Sequence, residues 1–160
     1  MEKKTLTIDY IKTTTDALPE PDRSLALRAI DMTRNSLAHY SHFHVGAAIL
    51  MAGGEIVDGA NQENAAYPSG LCAERTAAFY ASARYPGVAM KKIAVAAATE
   101  APDGTLSLQP QPISPCGACR QSLMEYEKLY GPIEVILCGS EATYVFPSVA
   151  SLLPFSFTEF

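Results

Sequence analysis

The sequence predicts an α/β fold, a sandwich built on a mixed sheet of about five strands. Two observations carry this. Short apolar runs with strand character alternate with stretches of helical composition through the second half of the chain. Ahead of them, two strand-like segments flank Gly53-Gly54, the signature of an antiparallel hairpin. The length, 160 residues, is one domain's worth, and dividing it would leave two pieces too small for good cores. Residues 1–160 therefore form a single domain, with a joint at Pro19-Glu20-Pro21.

The elements follow in order. Residues 7–18 read as a short helix. Pro21-Asp22 opens a second helical pattern, with Leu25, Ala29, Ile30, Thr33 and Leu37 near one face, ending around His39-Tyr40. Residues 44–52 read as a strand and 55–60 as its return. Residues 61–70 are polar, carry Pro68 and Gly70, and form a loop. Residues 71–84, rich in Ala, Glu and Arg, form a helix stopped by Pro86-Gly87. Residues 92–99 suit a buried strand. Residues 100–115 hold four prolines and read as a long loop, a place where function often sits. Residues 116–130 are helical, 133–138 and 142–146 are strands, and 148–153 make a last helical turn.

Composition narrows the function. Hydrophobic residues make up 48% and charged residues 18%, which argues against disorder. The net charge is −5 and the pI near 5.1, with no basic run longer than Lys3-Lys4 or Lys91-Lys92. Binding to a nucleic acid polymer is therefore not expected. The longest apolar runs, 45–51 and 93–98, fall far below a membrane span, and no secretory signal is visible. The reading is a soluble, cytoplasmic protein. Four cysteines are too few for a disulfide scaffold, and in a reducing compartment a clustered set points to metal or redox work.

Cys116-Gly117-Ala118-Cys119 stands at the start of a predicted helix. Residues three apart share a helix face, and a helix N-terminus favours the thiolate form. Alone, the pair is equally a redox couple, a disulfide or half of a structural zinc site. Cys72 changes the weighing. It stands at another predicted helix start, with Glu74 two positions on. Cys72 and Glu74 can serve one site if that site lies off the helix end. Three thiolates then hold one ion and leave the fourth position open, as a catalytic zinc requires. Cys138, mid-strand, reads as a core residue. Three thiolates and Zn²⁺ sum to −1, which weakens the ion as a Lewis acid. The helix N-termini offset this, and Arg75 and Arg120, each beside a site residue, are placed to donate hydrogen bonds to the sulfurs.

Cys72-Ala73-Glu74-Arg75-Thr76-Ala77 and Ser114-Pro115-Cys116-Gly117-Ala118-Cys119-Arg120-Gln121 resemble the signature of the small, homotetrameric, three-cysteine cytidine deaminases. Tyr40-Ser41-His42-Phe43-His44-Val45-Gly46 is similar to that family's first strand, Asn61-Gln62-Glu63-Asn64 to its ribose-binding segment, and Leu152-Leu153-Pro154 with Phe157 to its C-terminal ending. The resemblance implies a three-layer α/β/α sandwich, one Zn²⁺ per chain, and deamination of cytidine and 2′-deoxycytidine with Glu74 carrying protons. It implies that Asn61 and Glu63 hold the ribose, that Phe43 packs on the pyrimidine, and that Ala73 also contacts substrate. Ala65, Tyr67 and Phe157 would sit at a neighbouring subunit's site. Without the resemblance, Asn61 reads as a turn residue, Glu63 as a surface charge and Phe43 as a core aromatic. Residues 1–20 are an N-terminal extension relative to the compact members, and the loop 100–111 is extended too. Rival readings are a deaminase of a modified nucleoside, a non-catalytic zinc-stabilised module, and a thiol redox protein. His39, His42 and His44 are the only histidines. His42 and His44 alternate and could share a metal, but read better as solvent-facing or hydrogen-bonded strand residues.

Overall fold

The structure, a computed structural model, describes residues 1–159. Seven strands form one mixed sheet in the order β1-β7-β6-β4-β2-β3, with β5 paired to the end of β4. The strands are β1 (Ile11–Thr13), β2 (Phe43–Met51), β3 (Ile56–Ala60), β4 (Met90–Glu100), β5 (Leu106–Leu108), β6 (Glu134–Cys138) and β7 (Thr143–Phe146). Only β4 and β6 run parallel among these pairs, joined by a crossover through α3 (Gly117–Tyr130). The other helices are α1 (Asp22–Met32) and α2 (Ala73–Arg84).

The sheet has helices on both faces. Strand residues alternate between the two. Ala48, Ala94, Ala96, Ile136 and Cys138 pack with Leu25, Ala26 and Ala29 of α1. Ala47, Ile49, Val95, Val135 and Leu137 pack with Ala77 and Ala81 of α2 and Leu123 of α3. This is the three-layer sandwich expected. Small residues let backbones meet. A Cβ on Gly46 would lie 2.2 Å from the Ala29 carbonyl oxygen, and one on Gly59 would lie 2.5 Å from that of Ala73. Among the described residues no helix is long and apolar enough to cross a membrane.

Three expectations are corrected. The sheet has seven strands rather than about five, because β1 and β5 are three-residue additions that exist only through pairing with β7 and β4. Residues 7–18 hold no α-helix. They hold β1 and a short 3-10 turn, Thr15–Ala17. Their β-branched content favours extension, and Tyr10 meets Tyr144 edge-on and stacks on Phe146. The helix opened by Asp22 ends at Met32, with a 3-10 turn at Thr33–Asn35. There Thr33 bonds back to the Ile30 carbonyl and Leu37 is drawn into a bridge with Gln62.

Candidate metal centre and adjoining cavity

Two helix N-termini converge on one point. Cys72 caps α2 and Cys116 caps α3, both in extended backbone conformation, while Cys119 lies buried in the first turn of α3. The three sulfurs lie within 4.8 Å of one another. The Cys72–Cys116 separation is 3.8 Å and the Cys116–Cys119 separation 3.5 Å. A zinc ion bonded to sulfur at about 2.3 Å in tetrahedral geometry spaces its ligand sulfurs about 3.8 Å apart. The residues present therefore fit zinc. All four cysteines are free, and a disulfide would require a sulfur separation near 2.0 Å. Cys138 is buried among core residues, as expected.

The charge on this cluster is unevenly held. The Cys119 thiol hydrogen bond lowers the Cys72 pKa to about 5 against the opposing cost of burial, and Arg75 and the Cys116 thiol lower it further. The same hydrogen bond and burial push Cys119 up. Arg75 Nη2 reaches Cys72 Sγ at 3.7 Å. Arg120 does not reach a sulfur. Its guanidinium donates to the carbonyls of Pro115 at 2.7 Å and Leu152 at 3.0 Å and to the Ser114 hydroxyl at 2.9 Å. It ties the segment leading into Cys116 to the turn that ends at Leu152 instead.

A cavity of about 740 Å³ opens beside the sulfurs, walled by the start of β2, the loop after β3 and residues 113–116. Phe43, Asn61, Glu63, Tyr67, Cys72, Glu74, Arg75 and Cys116 all line it. Glu74 is 3% exposed. Burial pushes its carboxyl up; its own backbone N–H opposes this, and the nearby Cys72 charge adds to the rise. Glu63 moves the other way. The Ser41 hydroxyl donates to one oxygen, and the backbone N–H groups of Tyr40 at 2.9 Å and Ser41 at 3.2 Å donate to the other. The hydroxyl lowers its carboxyl most; slight burial opposes this, and the two amides add to the lowering.

Asn61 is wedged under the same segment. Its Oδ1 accepts from the Val45 N–H at 2.7 Å and from the Ser36 hydroxyl, and its Nδ2 donates to the Phe43 carbonyl at 3.0 Å. Ala73 is fully buried behind the cavity wall, and Ala65 is exposed on the loop. Phe157, 69% exposed, lies outside this cavity; its backbone N–H and carbonyl are both held by the Gln121 side chain. Tyr40, Ser41 and Gln121 went unassigned in the sequence, since their roles depend on partners 22 to 36 residues away. His42 and His44 do not frame a metal-sized gap. Both turn to one oxygen of Glu100. Among the described residues the cysteine cluster is the one compact group of three ligand-bearing side chains.

Three cysteines at two helix starts, with a carboxyl buried beside them, resemble the arrangement of the zinc-dependent deaminases. Comparison with known proteins narrows this class. Residues 19–130 match the cytidine and deoxycytidylate deaminase zinc-binding region. The cytidine deaminase of Halalkalibacterium halodurans is 39% identical over 140 residues, covering 86% of this chain and 95% of that protein. That of Sporosarcina psychrophila is 42% identical over 121 residues, covering 75% and 79%. The crystal structure of cytidine deaminase from Burkholderia pseudomallei matches with a TM-score of 0.68 at 37% identity, covering 84% of this chain and 97% of that one. The chain belongs to the cytidine and deoxycytidylate deaminase family. Zinc is its cofactor, and the Cys72, Cys116 and Cys119 cluster is able to hold one ion.

Proposed function

We propose that this protein hydrolyses cytidine and 2′-deoxycytidine to uridine and 2′-deoxyuridine with release of ammonia, a reaction of pyrimidine salvage. The observation that carries the reading is Glu74, a buried carboxyl lining the cavity beside three thiolates. In this reading Cys72, Cys116 and Cys119 hold the zinc, which supplies Lewis acidity that makes water a nucleophile near neutral pH. Phe43 packs against the pyrimidine face, and Asn61 and Glu63 receive the ribose hydroxyls. Ala73, in the first turn of α2 behind the cavity wall, is the further residue assigned to substrate binding.

Glu74 moves the protons. It takes one from the attacking water as the new C–O bond forms at C4 of the cytosine ring, and delivers it to N3. It then takes the proton of the new C4 hydroxyl and passes it to the exocyclic amino group, the C4–N bond breaks, and ammonia leaves as the C4 oxygen becomes the carbonyl of uracil. A carboxyl whose burial raises its pKa keeps its proton closer to neutral pH than one in water, which leaves it available as the general acid of the second transfer. Arg75, donating to Cys72, offsets part of the negative charge of the thiolates. It is the only Lys or Arg among the cavity-lining residues, while two carboxylates line the same space. That balance favours a neutral nucleoside over a 5′-phosphate.

The assembly in this reading is a cytoplasmic homotetramer whose active sites are shared between subunits. Tyr67 is 84% exposed, and Phe155 and Phe157 also face outward, which suits a role for Ala65, Tyr67 and Phe157 at a neighbour's site. A thiolate site also suits a reducing compartment.

The test is direct. Zinc-loaded protein is incubated with cytidine and with deoxycytidine, and uridine and ammonia are followed. Turnover is expected on both. Glu74→Gln is expected to retain zinc and fold and to lose at least ~10²-fold in kcat, the scale of general acid–base catalysis. No turnover of either nucleoside by zinc-loaded protein would overturn the reading.

A further inference from the structure

We propose that Glu100, outside the cavity, is a positioning residue that holds Phe43 for the base. This rests on the nucleoside reading above. Glu100 ends β4 directly beside the start of β2, where Phe43 pairs with Thr99 and His44 with Ala98. Its Oε2 lies 2.8 Å from His42 Nδ1 and 3.3 Å from His44 Nε2. Its backbone N–H donates to the His42 carbonyl at 3.0 Å. Side chains alternate along a strand, so the residues flanking Phe43 point away from the cavity while Phe43 lines it. One carboxylate thus grips the chain on both sides of Phe43, from the face opposite the substrate.

The grip has something to hold. His42 sits at φ 54, the left-handed region that a histidine enters rarely. Its amide donates to the Ala38 carbonyl at 2.8 Å. Facing the cavity, the neighbouring Tyr40 and Ser41 are tied to Glu63, and the backbone of Phe43 and Val45 to Asn61. Those two anchors belong to the binding machinery itself, and Glu100 does not. Without its carboxylate His42 is released from one restraint on a strained conformation, and Phe43 loses a fixed direction. Substrate binding then weakens while the proton transfers of Glu74 are untouched.

The experiment uses full-length zinc-loaded protein carrying Glu100→Ala, Glu100→Gln or His42→Gly, assayed with cytidine. Glu100→Ala is expected to raise KM ~10-fold, with kcat within about 2-fold and zinc content unchanged, the mark of lost uniform binding. Glu100→Gln keeps an acceptor oxygen and is expected to recover most of the affinity. His42→Gly keeps the left-handed backbone and loses the imidazole, so KM rises again; it serves if Glu100→Ala does not fold. Wild-type KM in the folded variants, or kcat falling in step with kcat/KM at constant KM, overturns the proposal. Amide hydrogen exchange over residues 42–45 is read in the same proteins. Faster exchange in Glu100→Ala supports the proposal and unchanged exchange overturns it, even if wild-type protein fails to turn over cytidine and the nucleoside reading falls.

Discussion

Two glutamates face one cavity and are pushed in opposite directions by their surroundings. Glu74 is raised, first by burial, and Glu63 is lowered, first by the Ser41 hydroxyl. The difference sets their uses: one can exchange protons, the other stays an acceptor. It also makes a prediction about acid. A carboxyl lowered by folding contributes stability above its unfolded pKa of about 4.3, and loses that contribution as pH falls through the lower folded value. Thermal melts of wild type and Glu63→Gln are expected to differ above the unfolded pKa and to converge as pH falls through the lowered folded value. The gap is expected to be small because Glu63 is solvent-screened; a gap constant with pH would show that its bonds to Tyr40 and Ser41 are not charge-assisted. At this scale the sequence was readable where chemistry was local. Cys116 and Cys119 lie three apart and Cys72 and Glu74 two apart, so the sulfurs and the acid declared themselves. Arg120 was misjudged because its acceptors include Leu152, and Glu100 was missed because its partners are 56 and 58 residues away.

The elements place these residues through unusually close backbones. Gly59 on β3 lies against the first turn of α2, the turn that carries Cys72 and Glu74. A methyl group there would meet the Ala73 carbonyl at 2.5 Å and the Ala77 N–H at 2.6 Å. Gly59→Ala is thus expected to cost ~1–3 kcal/mol by overpacking and, by pushing α2 off the sheet, to weaken zinc binding. Chemical denaturation and a zinc titration with a chromophoric chelator check both; a stable variant with normal zinc affinity would show that α2 can shift without moving Cys72. The helices α2 and α3 and the β2–β3 hairpin were legible because composition, periodicity and turn residues agree there. The strands β1 and β5 were not. Three residues carry no period, and each becomes a strand only because an edge stands next to it.

At the scale of the molecule, residues 1–13 act as a cover. β1 pairs with β7, and Tyr10 packs between Tyr144 and Phe146. Without them β7 would present an unpaired edge and two aromatic rings to solvent, a surface that promotes association. A chain lacking residues 1–13 is expected to keep its zinc site, to melt on the order of 5 °C lower, and to aggregate at concentrations where the full chain does not. Light scattering and a thermal melt measure both effects. Unchanged behaviour would make the segment dispensable to the fold. The cover was invisible in the sequence, where residues 7–18 read as a helix, because its conformation is dictated by the β7 edge it meets.

The ligand cysteines are dealt between the starts of two helices, so that neither helix alone owns the site. Cys72 and Cys116 are 44 residues apart, with β4 and the β4–β5 hairpin between them. During synthesis the first sulfur emerges long before the other two, and the Cys116–Cys119 pair alone offers a metal only half a coordination shell. Tight capture must wait until β4 has been laid down and α3 has crossed over to start β6. The full set of three sulfurs is thus assembled only once α3 has been made and brought beside α2.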